Sequence, residues 1–317
     1  MNKFGIILGE PNSINSEILA KSIAYKSPCI IIGSYDLLEK QLKKLKLKIK
    51  LRKQSVLLSK KPVKSLTVLD VPLKFKNPFK VSSKESSIYL KKCFHIAHRL
   101  AISGKIKGFI NCPINKKKFF KDKNLGITEF LSLKNKIQNK NVMMIFNEKL
   151  SVVPITTHIK LKDVPKKLNK KMIINKINIL NNYYFKYFKV KPNIGVLGLN
   201  PHNFELRDSS EEKKIIIPCI NFLKRKLKIA GPLSTDTVFM KNNIKKYDVI
   251  VGMYHDQVLT PFKTLFEFNA ANITLGLPYI RLSPDHGIGV DKKGLNISNP
   301  ESLNKCIKII SKIKVND

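Results

Sequence analysis

Apolar residues in this chain fall into short continuous runs, separated by longer stretches in which they recur every three or four positions. The runs Phe4–Leu8, Cys29–Ile32, Gly108–Asn111, Leu150–Ile155, Asn193–Leu197 and Asp248–Met253 have the length and composition of buried strands. Between them, Glu85 to Ser103 places Ile88, Phe94, Ala97, Leu100 and Ala101 at helical spacing and is followed by Gly104, a residue suited to a helix C-terminus. Glu211 to Leu227 has a similar period, and Pro218 predicts a kink or a split within it. Strands alternating with helices predict an α/β fold with a mainly parallel sheet. Leu45-Lys46-Leu47-Lys48-Ile49-Lys50-Leu51 alternates strictly, which predicts an edge strand with one apolar face and one lysine face that blocks edge pairing. The run from Phe4 stops at Glu10-Pro11; it is too short for a signal peptide and reads as a first buried strand. No stretch approaches the roughly 20 apolar residues that cross a bilayer, so a soluble, cytoplasmic protein is expected.

Composition changes this picture in two places. The 317 residues carry 60 Lys and Arg against 22 Asp and Glu, a net charge of +38. Only Arg52, Arg99, Arg207, Arg225 and Arg281 are Arg, whereas readers of phosphate shape favour the guanidinium fork. The alternating lysine stretch also lacks the interleaved aromatic residues on which bases stack. The charge therefore reads as compositional, and a nucleic-acid-binding protein is the rival that charge alone supports. At 43% hydrophobic the chain can bury a core of about two ordinary domains, which excludes disorder as its main state. Five cysteines, odd in number and without C-x-x-C, argue against a disulfide framework and against a cysteine zinc site.

Three of the six histidines share a context. His158, His202 and His255 each follow an apolar strand: Leu150–Ile155, Ile194–Leu197 and Val249–Met253. Ligands of open α/β sheets bind beyond the carboxyl ends of strands, so three such imidazoles can converge on one crevice as a catalytic metal site for Zn, Fe, Co or a similar ion. A histidine in that position can also simply cap its strand. His95 and His98, at i and i+3 on one helix, read as ordinary helix residues. Asp256 follows His255 and Asp236 stands in Gly231-Pro-Leu-Ser-Thr-Asp-Thr237; such carboxylates orient metal-bound imidazoles, accept protons or cap turns. Lys263, Asn272 and Arg281 are candidates to grip a phosphate or carboxylate. Asp285-His286-Gly287 with Asp291 and Gly294 forms a turn-rich segment able to approach a nucleotide. Neither G-x-G-x-x-G nor a P-loop occurs.

Together these segments resemble the 4-hydroxythreonine-4-phosphate dehydrogenase family of pyridoxal phosphate biosynthesis. The resemblance runs from Gly9 to about Gly294 and is most specific at Asn111-Cys-Pro-Ile-Asn-Lys116, Gly126-Ile-Thr-Glu-Phe130, Thr156-Thr-His158, Leu199-Asn-Pro-His202, Gly231-Pro-Leu-Ser-Thr-Asp-Thr237, Met253-Tyr-His-Asp-Gln257 and Asn272-Ile-Thr-Leu-Gly-Leu-Pro278, with Arg281 and Asp285-His-Gly287. It implies a two-lobed α/β/α sandwich similar to isocitrate and isopropylmalate dehydrogenases, with the active site in the inter-lobe cleft. The lobes expected are 1–125 with 260–317 on the nucleotide side, and 126–259 carrying the metal ligands and the interface of a homodimer. The resemblance further implies one divalent metal per site (Zn, Mg or Co) on His158, His202 and His255, drawn from both subunits, and NAD or NADP as cofactor. Substrate contacts fall on Thr128, Lys263, Asn272 and Arg281; Asp236, Asp256 and Lys263 are the candidates for proton transfer; His286, Gly287 and Asp291 fall in the nucleotide loop. The implied reaction oxidises 4-phosphohydroxy-L-threonine to a β-keto acid that decarboxylates to 3-amino-2-oxopropyl phosphate. A related dehydrogenase of another phosphorylated hydroxy acid is the alternative, and an acyltransferase on a similar scaffold is a further one. Three segments depart from the family pattern: Ile127 stands where a substrate-binding His is usual, Glu10 where Asp is, and Asn203-Phe-Glu-Leu206 where glycines are.

Overall fold

The computed structural model describes residues 3–54, 65–120, 126–137 and 140–314. Its strands are β1 (Phe4–Ile7), β2 (Cys29–Gly33), β3 (Leu51–Gln54), β4 (Leu66–Asp70), β5 (Gly108–Asn111), β6 (Val142–Phe146), β7 (Ser151–Pro154), β8 (Ile194–Leu197), β9 (Ile229–Leu233), β10 (Val249–Gly252), β11 (Ala271–Leu275) and β12 (Ile280–Pro284). Helices occupy most of the connections, so the α/β class predicted from the alternation of runs is the fold observed. Two compact units result, Met1–Ile127 with Phe268–Ala271 and Pro278–Asp317, and Thr128–Glu267 with Asn272–Leu277. A boundary at 260 would cut helix His255–Phe266, and β11 lies beside β6; 260–267 and 272–277 therefore fall in the second unit rather than the first.

In the first unit the strand order is β3-β4-β2-β1-β5-β12, and its neighbours pair in parallel. Helix Ser83–Ile102 shows how the sequence builds the covering layer. Ser82 Oγ accepts from Glu85 N at 3.2 Å, and Glu85 in the first turn suits the positive end of the helix. Tyr89, Leu90, Cys93, Phe94, Ala97 and Ala101 are buried along it, the larger ones contributing about 1.5–3 kcal/mol each. The chain then leaves through Gly104 at φ +69°, the left-handed turn that glycine makes without strain.

The alternating lysine segment behaves differently from its pattern. Helix Tyr35–Lys44 ends with Leu45 as its C-cap, Lys46 takes φ 54°, and Leu47 N donates to Leu42 O at 3.0 Å. That is a Schellman closure built on a lysine instead of a glycine, and it commits 45–47 to the helix end. Edge pairing begins only at Leu51, so the edge strand is Leu51–Gln54 and not the alternating stretch. Lys46, Lys48 and Lys50 nonetheless face solvent.

In the second unit the order is β11-β6-β7-β10-β8-β9. β7, β10, β8 and β9 pair in parallel, whereas β6 and β7 are antiparallel. The exception follows from the connection: Asn147 N donates to Leu150 O at 3.1 Å and Lys149 N to Asn147 Oδ1 at 2.9 Å, a tight Asx turn that can only reverse the chain. Helix Lys170–Phe188 starts at Asn169, whose Oδ1 accepts from Met172 N, and buries Ile173, Ile177, Leu180, Tyr184 and Tyr187. The segment expected to kink at Pro218 opens as a π turn, Glu212–Ile216, and continues as helix Ile217–Lys224 with Pro218 in its first turn. The widened turn accommodates a residue that has no N–H to give. Among the described residues no helix is long and apolar enough to cross a membrane.

Candidate active site

The second unit gathers polar residues where β7, β10 and β8 end. β7 and β10 stay laced beyond their last paired residues: Ile155 N donates to Gly252 O at 2.7 Å, and Thr156 offers both its N–H (3.1 Å) and its hydroxyl (2.7 Å) to Met253 O. The two turns that follow therefore run side by side, which brings His158 and His255 together with ring centroids 6.0 Å apart and planes tilted by 36°. His255 opens helix His255–Phe266, and its Nδ1 lies 2.6 Å from Asp256 Oδ1. A carboxylate can only accept, so Nδ1 is the donor, and in the neutral imidazole Nε2 is the nitrogen left to ligate a metal.

His202 is placed differently. It lies exposed on the turn Pro201–Leu206 after β8, and it takes φ 48° at the head of a left-handed run. Among the described residues no three His, Cys, Asp or Glu side chains gather to hold a metal. Of the three expected imidazoles, the ring contact joins His158 and His255. The donor set of the pair still suits a divalent ion, since two neutral imidazoles at this separation can share one ion at Zn–N bonds of about 2.1 Å.

The remaining candidates distribute as follows. Asp236 is exposed in the first turn of the short helix Thr235–Val238. Lys263 sits seven residues beyond Asp256 on the same helix, hence on the same face, and is half-buried. Thr128 is buried, with its Oγ1 3.3 Å from Thr274 Oγ1. Asn272 lies two residues before Thr274 on β11 and so faces the same side; its Oδ1 is buried without a hydrogen-bond partner among the described residues, an acceptor ready for an amine or hydroxyl. In the first unit, Arg281 is 3% exposed and its Nε donates to Asn111 Oδ1 at 2.8 Å. His286 Nδ1 lies 2.8 Å from Gly287 O, and Asp291 is exposed in the short turn Val290–Lys292 between Gly289 (φ +55°) and Gly294 (φ +81°).

Neither Glu212 nor Lys176 stood out in the sequence. Glu212, 0% exposed, accepts from Leu199 N at 2.7 Å and Asn200 N at 2.8 Å with one oxygen, and from Asn200 Nδ2 with the other at 3.1 Å. Burial would raise its carboxyl, but the hydrogen bonds from Asn200 and Leu199 outweigh it and hold the group below the usual glutamate value. It fixes the start of the turn that carries His202. Lys176, on helix Lys170–Phe188, donates from Nζ to Ile155 O at 2.6 Å, three residues before His158. Burial pushes this amine down to about 8, with Glu129 pulling the other way. Lysines abound in the chain, and nothing local in sequence marks this one; its only signal is a place one residue before the buried Ile177.

Comparisons with known proteins identify the family. Residues 25–310 match the family described as pyridoxal phosphate biosynthetic protein PdxA. The 4-hydroxythreonine-4-phosphate dehydrogenase of Sulfurihydrogenibium sp. (strain YO3AOP1) is 37% identical over 99% of both chains. The D-threonate 4-phosphate dehydrogenase of Pectobacterium atrosepticum is 29% identical over 94% of this chain and 95% of its own. Among solved structures, the 4-hydroxythreonine-4-phosphate dehydrogenase of Klebsiella pneumoniae superposes with a TM-score of 0.84 at 29% identity, covering 97% of this chain and 98% of that one. This chain belongs to the PdxA family of pyridoxal phosphate biosynthetic proteins.

Proposed function

We propose that the protein oxidises 4-phosphohydroxy-L-threonine with NAD or NADP in pyridoxal 5'-phosphate biosynthesis. The observation that carries this is its full-length kinship with a dehydrogenase of that substrate. Oxidation removes a hydride from the carbinol carbon to the nicotinamide ring and a proton from the hydroxyl. The β-keto acid formed then loses carbon dioxide, its bond electrons pass into an enolate, and protonation gives 3-amino-2-oxopropyl phosphate.

A divalent ion held by His158, His202 and His255 would supply Lewis acidity, lowering the pKa of an oxygen acid bound to it. The active form in this reading is a homodimer that completes the ligand set, which accords with one chain bringing only two of these imidazoles together among the described residues. Asp256 holds the tautomer of His255, and Asp236 or Lys263 is then the better placed to take the hydroxyl proton. Thr128 and the Asn272 carbonyl, without a hydrogen-bond partner among the described residues, orient the substrate's polar groups, Lys263 and Arg281 grip its anionic groups, and His286, Gly287 and Asp291 contact the nucleotide. The test is product identification after supplying purified protein with a divalent metal, nicotinamide cofactor and substrate, alongside His202→Ala. Wild-type turnover by a metal-free His202→Ala protein would sink the metal-assisted reading.

One observation favours a second substrate. Ile127, 5% exposed, stands where a substrate-binding His is usual and offers no hydrogen bond, and a relative is a D-threonate 4-phosphate dehydrogenase. Turnover measured on both phosphorylated acids separates the two readings. Ile127→His should lower KM for 4-phosphohydroxy-L-threonine by about fivefold, the worth of one hydrogen bond; an unchanged KM would mean the pocket has been rebuilt around Ile127.

A further inference from the structure

One buried carboxamide meets all three turns that carry His202, Asp236 and His255. Gln257 is 5% exposed. Its Oε1 accepts from Met253 N at 2.7 Å, two residues before His255. Its Nε2 donates to Gly198 O at 2.7 Å, four residues before His202, and to Thr235 Oγ1 at 3.0 Å, next to Asp236. The acceptor and both donors of the amide are thus used, on partners 4, 59 and 22 residues away along the chain. No apolar side chain can replace them, and neither glutamate nor methionine supplies the two donors.

The neighbouring backbone is shaped to admit this side chain. A Cβ at Gly252 would stand 2.9 Å from Gln257 Oε1, and one at Gly198 would meet Asn203 Oδ1 and come 3.1 Å from Glu212 Oε1. Glycine at both strand ends leaves room for the polar groups that bind them. Gly198 is then held from two sides, its carbonyl by Gln257 and the next two N–H groups by Glu212.

We propose that Gln257 is the positioning residue of this site, setting the spacing of the turns that bear His202, Asp236 and His255. What those turns do rests on the function proposed above. Full-length wild type, Gln257→Leu and Gln257→Glu are compared for Co²⁺ affinity, the visible spectrum of bound Co²⁺, kcat and KM for 4-phosphohydroxy-L-threonine, and melting by circular dichroism. Gln257→Leu should lose roughly 10- to 100-fold in Co²⁺ affinity, the usual cost of removing a group that orients metal ligands, with a shifted Co²⁺ spectrum and a similar fall in kcat. KM should move by less than about threefold, because the buried amide spends its polar groups on the protein itself. Gln257→Glu keeps the acceptor for Met253 N and should fall between the two. If Gln257→Leu does not fold, Gln257→Glu decides by the same measures. Wild-type Co²⁺ affinity, spectrum and kcat in the variant overturn the proposal alone; a wild type that binds no Co²⁺ overturns the metal reading and the proposal with it.

Discussion

His202, Asn203, Phe204, Glu205 and Leu206 all take φ between 47° and 57°, a left-handed run that costs an L-residue about 1–2 kcal/mol at each step. Little apolar burial offsets it, since Phe204 and Leu206 are exposed. The run is held instead by Asn203 N on Asn200 O, Arg207 N on Phe204 O, and Asn203 Nδ2 on Pro232 O. Leu206→Gly should therefore stabilise the protein by about 0.5–1 kcal/mol, strain relief less the entropy of glycine, as a higher urea midpoint at unchanged slope. Glu212 makes the opposite case. Glu212→Leu strips the acceptor from two half-buried N–H groups and should destabilise by about 1–3 kcal/mol in the same assay. Because the Glu212 carboxyl is held below its ordinary 4.5, its contribution is complete above that value and is lost as pH falls through the lower native one. The gap between wild type and Glu212→Leu should accordingly narrow in acid.

The strand that delivers His158 and the helix that braces it meet at Lys176. Its amine sits near 8 in the folded chain against 10.5 when exposed, so the unfolded state binds more protons across that window. Folding stability from this group therefore rises with pH between about 8 and 10.5 and is at its lowest below 8. Relative to Lys176→Met, wild type should gain on the order of 2 kcal/mol over that interval, read from paired denaturation curves. A difference independent of pH would show that the amine titrates normally. At this scale the sequence is readable where a signal is local. All six apolar runs are strands, the helix before Gly104 ends there, and His158 and His255 follow β7 and β10 as their runs predict. The turn at Lys46 was illegible because a lysine does there what glycine usually does. The roles of Glu212, Lys176 and Gln257 were illegible for another reason. Each binds mainly backbone groups 4 to 59 residues away, and a backbone carbonyl or N–H leaves no mark on the sequence.

Across the whole molecule the charge of +38 acts as a field more than as a set of contacts. Lys and Arg outnumber Asp and Glu by 60 to 22, and several of the carboxylates are engaged inside the fold, as Glu10, Glu17 and Glu212 are. The surface is left strongly positive, and both the phosphorylated acid and the dinucleotide of the proposed reaction are anions. Such a field raises their local concentration without distinguishing one from another, which is why it bears on encounter and not on specificity. Raising ionic strength from about 0.01 M to 0.15 M shortens the screening length from about 30 Å to 8 Å, below the reach needed to draw an anion from solution. KM for the phosphorylated substrate should then rise severalfold while kcat stays constant, because the groups proposed to act on bound substrate, His255 with Asp256 and the buried Thr128, would work at contact distance where salt screens little. A KM indifferent to salt would mean that the lysine surface serves solubility alone, and that the anion grip resides wholly in buried groups such as Arg281.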